Sequence, residues 1–176
     1  MASNGFGQRQ STWGAKKGVH EAAVGPNPTD RSKPGVKRHL LVERVGVPLA
    51  VTSSGANRHD MRQTAETLDA LVITRPDPQL LPQHLCLDLG YDYDDSRQAA
   101  EERGYRLHIP ARGLDTSCPV QGDPARHPAR RWVVERTQAW LHKFRKLLVR
   151  YERKTANYLG LVHLACALIV ARKLLG

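Results

Sequence analysis

The sequence predicts an α/β domain, and three observations predict it. Two β-branched and aliphatic runs are joined around a glycine, an apolar run and a later strand flank one helical stretch, and two long helical stretches close the chain. With 176 residues, 40% hydrophobic and 25% charged, the chain has the makings of one folded unit with its own core.

Taken in order, residues 1–35 carry six Gly and three Pro with no sustained period, so they are expected to form a loosely ordered arm ahead of a domain spanning 36–176. Val36 to Arg44 and Val47 to Thr52 read as an antiparallel hairpin turning at Val45-Gly46. Ser53, Ser54, Gly55 and Asn57 make a turn, after which Met61, Ala65, Leu68 and Leu71 have helical spacing. Asp60, just ahead of that helix, is expected to cap it.

Beyond the Pro-rich loop Arg75 to Pro82, Leu85-Cys86-Leu87 suits a buried strand that ends at Asp88. Tyr93 to Arg103 reads as a helix stopped by Gly104, and Tyr105 to Ile109 as the next strand, giving a strand–helix–strand crossover around Asp88. Pro110 to Ala129 holds four Pro and two Gly and is expected to be a loop. Arg130 to Arg150 is expected to be one helix, with Val133, Trp140, Leu141, Phe144 and Leu148 on its apolar side. Thr155 to Leu175 is a second helix, apolar on most sides and therefore expected to be buried.

Charge narrows the partners. Lys and Arg number 27 against 17 Asp and Glu, a formal charge of +10 that favours a polyanion, nucleic acid before membrane. Ten of the cations fall between Arg126 and Lys154 against two acids, Glu135 and Glu152, so most of the excess is local. Trp132, Trp140, Phe144 and Tyr151 interleave with them and could stack on exposed bases or pack inward. Cys86, Cys118 and Cys166 are odd in number and widely spaced, which fits reduced thiols better than a disulfide framework or a metal cluster. Residues 1–12 lack a signal-peptide core, and the apolar stretch Leu159 to Ala171 is read as too short for a bilayer; a soluble, cytoplasmic protein with no membrane partner is expected.

Two carboxylates stand out by position. Asp88 ends a buried strand, where an α/β sheet opens its crevice, although the same place suits a carboxylate that caps the following turn. Glu135 shares a helical stripe with Arg131, Gln138 and His142; it could face a site or simply pair with Arg131 in solvent. Brought together, two carboxylates can hold Mg²⁺, and a third would be wanted for two ions that act on a phosphodiester.

Several stretches carry a family resemblance: Gly25-Pro26-Asn27-Pro28-Thr29-Asp30-Arg31, Lys37-Arg38-His39-Leu40, Ser54-Gly55-Ala56-Asn57-Arg58-His59-Asp60, Asp88-Leu89-Gly90-Tyr91-Asp92, Arg131-Trp132-Val133-Val134-Glu135-Arg136-Thr137 and Arg150-Tyr151-Glu152-Arg153. In this order they resemble the catalytic core of bacterial insertion-sequence transposases of the DDE type. The resemblance implies an RNase H-like fold, a mixed sheet flanked by helices, and Mg²⁺-dependent DNA cleavage and strand transfer. It implies DNA partners, both element ends and target, and a homo-oligomer or a full-length transposase as protein partner. Asp88 matches the second acid and Glu135 the third; both are then catalytic and metal-binding candidates. Arg130, Arg131, Arg136, His142, Lys143, Arg145 and Lys146 are the DNA-binding candidates, with His142 standing where the family usually has a basic residue.

The departures shape the expected function. Counting back from Ala15-Lys16-Lys17-Gly18, the first acid falls on or near Arg9, and no Asp or Glu precedes Glu21. Leu89 follows the second acid where Lys is common, and the family's N-terminal DNA-binding region has no counterpart. The expectation is a partial, N-terminally truncated or inactive transposase core whose first strand is missing or degenerate. The alternative is a DNA-binding relic that inhibits full-length transposase without catalysis. A cationic nucleic-acid chaperone of unrelated origin leaves the ordered motifs unexplained.

Overall fold

The computed structural model describes residues 8–11, 24–28, 30–109 and 131–176, with the backbone alone at 8–11 and 131. The expected loop from Pro110 to Ala129, Arg130 and Cys118 lie outside the described residues.

The hairpin is the centre of the molecule. β3 (Pro34–Val42) pairs antiparallel with β4 (Pro48–Gly55), from Val36 opposite Gly55 to Val42 opposite Pro48. Gly46 turns the chain between them at φ 86°, a left-handed backbone that suits glycine, and a Cβ there would stand 3.0 Å from Thr137 Oγ1. The arm expected to be loosely ordered contributes two short strands. β1 (Gln8–Ser11) runs antiparallel to β3 with Arg9 opposite Lys37, and β2 (Gly25–Pro26) pairs with Gly35 and Pro34. Val36, Lys37 and Arg38 have partners in both β1 and β4, so β3 lies inside the sheet. A second sheet holds β5 (Gln83–Cys86) and β6 (Tyr105–His108), which are parallel as a crossover requires. Its connection is the helix α2 (Asp94–Glu101), closed by Gly104 at φ 69°.

Every β3 residue after Pro34 is buried, because apolar layers cover both faces of the hairpin. On one face Val36, Leu40, Val42 and Val51 pack with Val133, Val134, Leu141, Leu147, Tyr158, Val162 and Ile169. On the other Leu41 and Ala50 pack with Leu68, Leu85, Leu87, Tyr91, Tyr105, Leu107 and Ile109. The architecture is thus mixed α/β with helices on either side.

Three helical expectations are corrected. The stretch 60–71 is a 3₁₀ turn (Asp60–Gln63) followed by the short α1 (Thr64–Asp69). Asp60 caps neither; it accepts from Lys37 Nζ at 2.8 Å, an ion pair that a buried lysine needs more than a helix needs a cap. The expected helix 130–150 is two: α3 (Arg131–His142) and α4 (Arg145–Leu148), with Phe144 extended at φ −83°, ψ 104°. No Gly or Pro marks the break. It places both Phe144 and Leu147 against the core, so tertiary packing overrides helix propensity here.

The third correction concerns α5 (Thr155–Leu175). At 21 residues it is long and apolar enough to cross a bilayer, contrary to the reading of Leu159 to Ala171 as too short. Nor is it buried on most sides: Tyr158, Val162, Ala165 and Ile169 face the core at helical spacing, whereas Leu164, Leu168, Leu174 and Leu175 are exposed. Packing along one stripe on the hairpin layer and α3 is what a core helix of a folded domain shows.

Candidate nucleic-acid interface and carboxylate sites

Asp88 leaves the end of β5 in an extended conformation and caps the 3₁₀ turn Leu89–Tyr91, accepting from Gly90 N at 3.1 Å. That turn packs on the Asp60–Gln63 turn, and Tyr91 is buried at the junction. Burial raises the Tyr91 pKa well above its usual value, and the charges of Asp60 and Asp88 push it further the same way. Asp60 therefore lies in the electrostatic neighbourhood of Asp88, tied to Lys37, whose Nζ also donates to Arg58 O at 2.7 Å. Glu135 projects from the exposed side of α3, one residue before Arg136 and two before Thr137. Those two fasten the helix to the hairpin turn: Arg136 Nη2 donates to Val45 O at 2.5 Å and Thr137 Oγ1 to Gly46 O at 2.6 Å.

Hard carboxylate oxygens at Asp88 and Glu135 have the chemistry Mg²⁺ prefers. Among the described residues, however, no group of three His, Cys, Asp or Glu could hold a metal ion, and β1, where the resemblance puts the first acid on or near Arg9, contains no Asp or Glu. The described donor set does not fit a two-metal centre.

The cations divide into two kinds. Lys143, Arg145 and Lys146 are exposed at the end of α3 and on α4, free of the core and open to phosphates. Arg136 is half-buried, fixed at Val45 and stacked between Trp132 (4.8 Å) and Trp140 (5.1 Å), while Lys173 Nζ covers Trp140 at 4.9 Å. Arg130 and the side chain of Arg131 lie outside the described residues. His142 has a different employment. Its Nε2 accepts from Arg38 Nη2 at 2.8 Å, and partial burial with the Arg38 charge lowers its pKa. A neutral imidazole results at pH 7, with an N–H to donate and no positive charge.

Sequence reasoning missed the buried charges on β3. Lys37, Arg38 and His39 are consecutive and all buried; Lys37 and His39 turn to the Asp60 side, and Arg38 to the α3–α5 side, where Tyr158 also bonds it. The signal was present: three polar residues of both parities inside a strand cannot all face water. The first family motif was likewise read without its structural purpose. Asn27 N donates to Lys33 O, Asn27 O accepts from Asp30 N and Ser32 N, and a Cβ on Gly25 would stand 1.8 Å from Asn57 Oδ1. The Gly25 and Ser54 motifs are therefore packed on each other, and the approach of Asn57 leaves no room for a side chain at position 25.

Comparison with known proteins identifies the family. Residues 7–170 match the family described as Transposase DDE domain. A putative transposase for insertion sequence element IS402 from Burkholderia cepacia is 37% identical over 160 residues, covering 89% of this chain and 70% of the relative. A putative transposase for insertion sequence element IS6501 from Brucella ovis is 26% identical over 145 residues, covering 77% of this chain and 98% of the relative. The chain belongs to the transposase DDE-domain family, and its function is of the transposase type.

Proposed function

We propose that this chain binds DNA across α3 and α4 and does not itself cut it. The observation that carries the binding is the cluster of exposed cations, Lys143, Arg145 and Lys146, on the segment that also bears Glu135. Arg130 and Arg131, neighbours of this segment in the sequence, and Arg136 add to its positive charge, and His142 adds a neutral donor. Phosphate contacts of this kind position a duplex without reading its sequence, and they release counterions. Binding should weaken steeply as salt rises, with the slope reduced by about 1 for each phosphate-contacting cation replaced by Gln. Titrating a labelled duplex at several salt concentrations tests this; affinity unchanged from low to moderate salt, or unaltered by Lys143→Gln with Lys146→Gln, defeats it.

Asp88 and Glu135 are, in this reading, the second and third acids of an RNase H-like metal site, with β1 in the place of the first strand. The antiparallel run β1–β3–β4 and the parallel pair β5–β6 support that assignment. The lack of an acid in β1, where the first acid falls on or near Arg9, argues against cleavage, because that acid would help to hold the metal ions and positive charge in its stead would disfavour them. Such a chain competes with an active copy, or joins it, at element ends and target DNA. Supercoiled plasmid bearing candidate ends should stay intact with Mg²⁺ or Mn²⁺; nicking that vanishes in Glu135→Ala would overturn the inactive reading.

A further inference from the structure

β5 and β6 are parallel strands of four residues each, and a two-stranded pair that short is marginal by its own pairing. One face of the pair is explained: Leu85 and Leu87 with Tyr105, Leu107 and Ile109 pack on Leu41 and Ala50 of the hairpin. Side chains alternate along a strand, so His84 and Cys86 of β5 and Arg106 and His108 of β6 line the opposite face. That face is not an ordinary solvated surface. His108 is only 5% exposed, His84 is half-buried beside it, and Arg106 alone is open to solvent. His84 Nδ1 and His108 Nε2 meet at 2.7 Å, with ring centroids 4.9 Å apart and planes inclined by 32°. Two imidazoles from neighbouring strands therefore turn ring nitrogens toward one point, and neither takes part in the carboxylate or DNA-binding sites described above.

Imidazole nitrogens suit Zn²⁺, Ni²⁺ and Cu²⁺, whereas Mg²⁺ prefers oxygen. We propose that His84 and His108 form a binding site for one divalent transition ion of the Zn²⁺ kind, which clasps β5 to β6. In the metal-free pair one ring donates its N–H to the lone pair of the other. When the ion binds, the donating ring shifts to its other neutral tautomer. The proton moves to that ring's second nitrogen, both rings turn a lone pair to the ion, and no proton is released. Two nitrogens at Zn–N distances of about 2.0–2.1 Å on a tetrahedral ion stand about 3.3 Å apart, so the rings need to part by about 0.6 Å. His84 is the less buried of the two and is the ring that gives way. Among the described residues no third His, Cys, Asp or Glu completes the set, so water fills the remaining positions of the ion. The site is thereby separate from Asp88, which follows His84 by four residues and offers the oxygen ligands of a harder ion.

The test titrates ZnCl₂ into the full, untagged chain by calorimetry at neutral pH, with the melting temperature followed alongside. One Zn²⁺ per chain should bind, the melting temperature should rise with Zn²⁺, and an excess of Mg²⁺ should not displace it. His84→Gln and His108→Gln should each weaken Zn²⁺ binding about tenfold or more, whereas His163→Gln, exposed on α5, should leave it unchanged. His84→Gln is the decisive variant because its ring lies at the rim, and its circular dichroism without zinc reports that it is folded. Absence of Zn²⁺ binding by the original chain, or binding undiminished in a folded His84→Gln, overturns the site. Zn²⁺ binding that survives His84→Gln and disappears in Asp88→Asn would place the ion on the carboxylate and overturn it equally. The salt dependence of DNA binding is read separately and stands or falls without these histidines.

Discussion

The two faces of β3 bury charge in different ways. On one, Lys37 is neutralised by a carboxylate, Asp60, 23 residues away, and His39 lies fully buried with its Nε2 on Ser54 Oγ at 2.8 Å. On the other, Arg38 is shared between two neutral groups, the His142 imidazole and the Tyr158 hydroxyl, with burial lowering its pKa and raising those of Tyr158 and, to about 11, Cys166. The first arrangement is an ion pair at the edge of the core, next to the turn that carries Asp88. The second ties α3 and α5 to the sheet without spending a carboxylate. A strand can thus be buried on both faces while carrying three polar residues in a row, provided each finds its partner on the correct side.

The largest effects should be the same on both faces. Leu40 and Leu41 point to opposite faces and both are fully buried, so each change to Ala should cost about 2–5 kcal/mol and the two losses should be similar. Urea unfolding measures both; a loss on one face alone would mean that one layer is not a packed core.

Acid should reach the faces unequally. Burial, reinforced by the Lys37 charge and opposed by Asp60, holds His39 down at about 4, below its ordinary 6.5. A depressed histidine favours the neutral form in the fold, so its stabilisation is complete above pH 6.5 and is lost as pH falls from 6.5 toward about 4, where the unfolded chain takes up the proton first. The melting temperature should drop across that window, and His39→Gln should flatten the drop. His142 is shifted in the same direction, so His142→Gln should flatten it further; an unchanged slope in both variants would contradict these placements.

Smaller effects sharpen the contrast. Asp60→Asn strips Lys37 of its counter-charge and should cost about 1–3 kcal/mol, most of it recovered when Lys37→Met is added. His142→Gln keeps an acceptor for Arg38 and should cost about 1 kcal/mol or less, whereas His142→Leu removes the acceptor and should cost more. Equal effects of Gln and Leu would show that the Arg38 bond contributes nothing.

The elements were legible where periodicity and punctuation agree. The hairpin turned at Gly46, the crossover helix stopped at Gly104, and the last helix kept its predicted ends. The break at Phe144 was hidden because nothing local demands it; the reason is the contact of Phe144 and Leu147 with a core assembled from distant residues. Composition gave α5 the look of an entirely buried helix, but burial is decided by how many neighbours exist, and the hairpin layer covers one stripe. Asp88 was legible as a strand-end carboxylate, and its bond to Gly90 N meets the alternative of a turn cap too. His142 could be found on its polar stripe but not its partner Arg38, 104 residues earlier.

In the proposed reading DNA is bound without being cut because the first acid, on or near Arg9, is missing, and one substitution addresses this directly. Arg9→Asp restores a carboxylate to β1 opposite Lys37. Supercoiled plasmid should stay intact with the original chain, be nicked in a metal-dependent way by Arg9→Asp, and stay intact again when Asp88→Ala or Glu135→Ala is added. Metal-dependent nicking by the original chain that disappears with Glu135→Ala would contradict it.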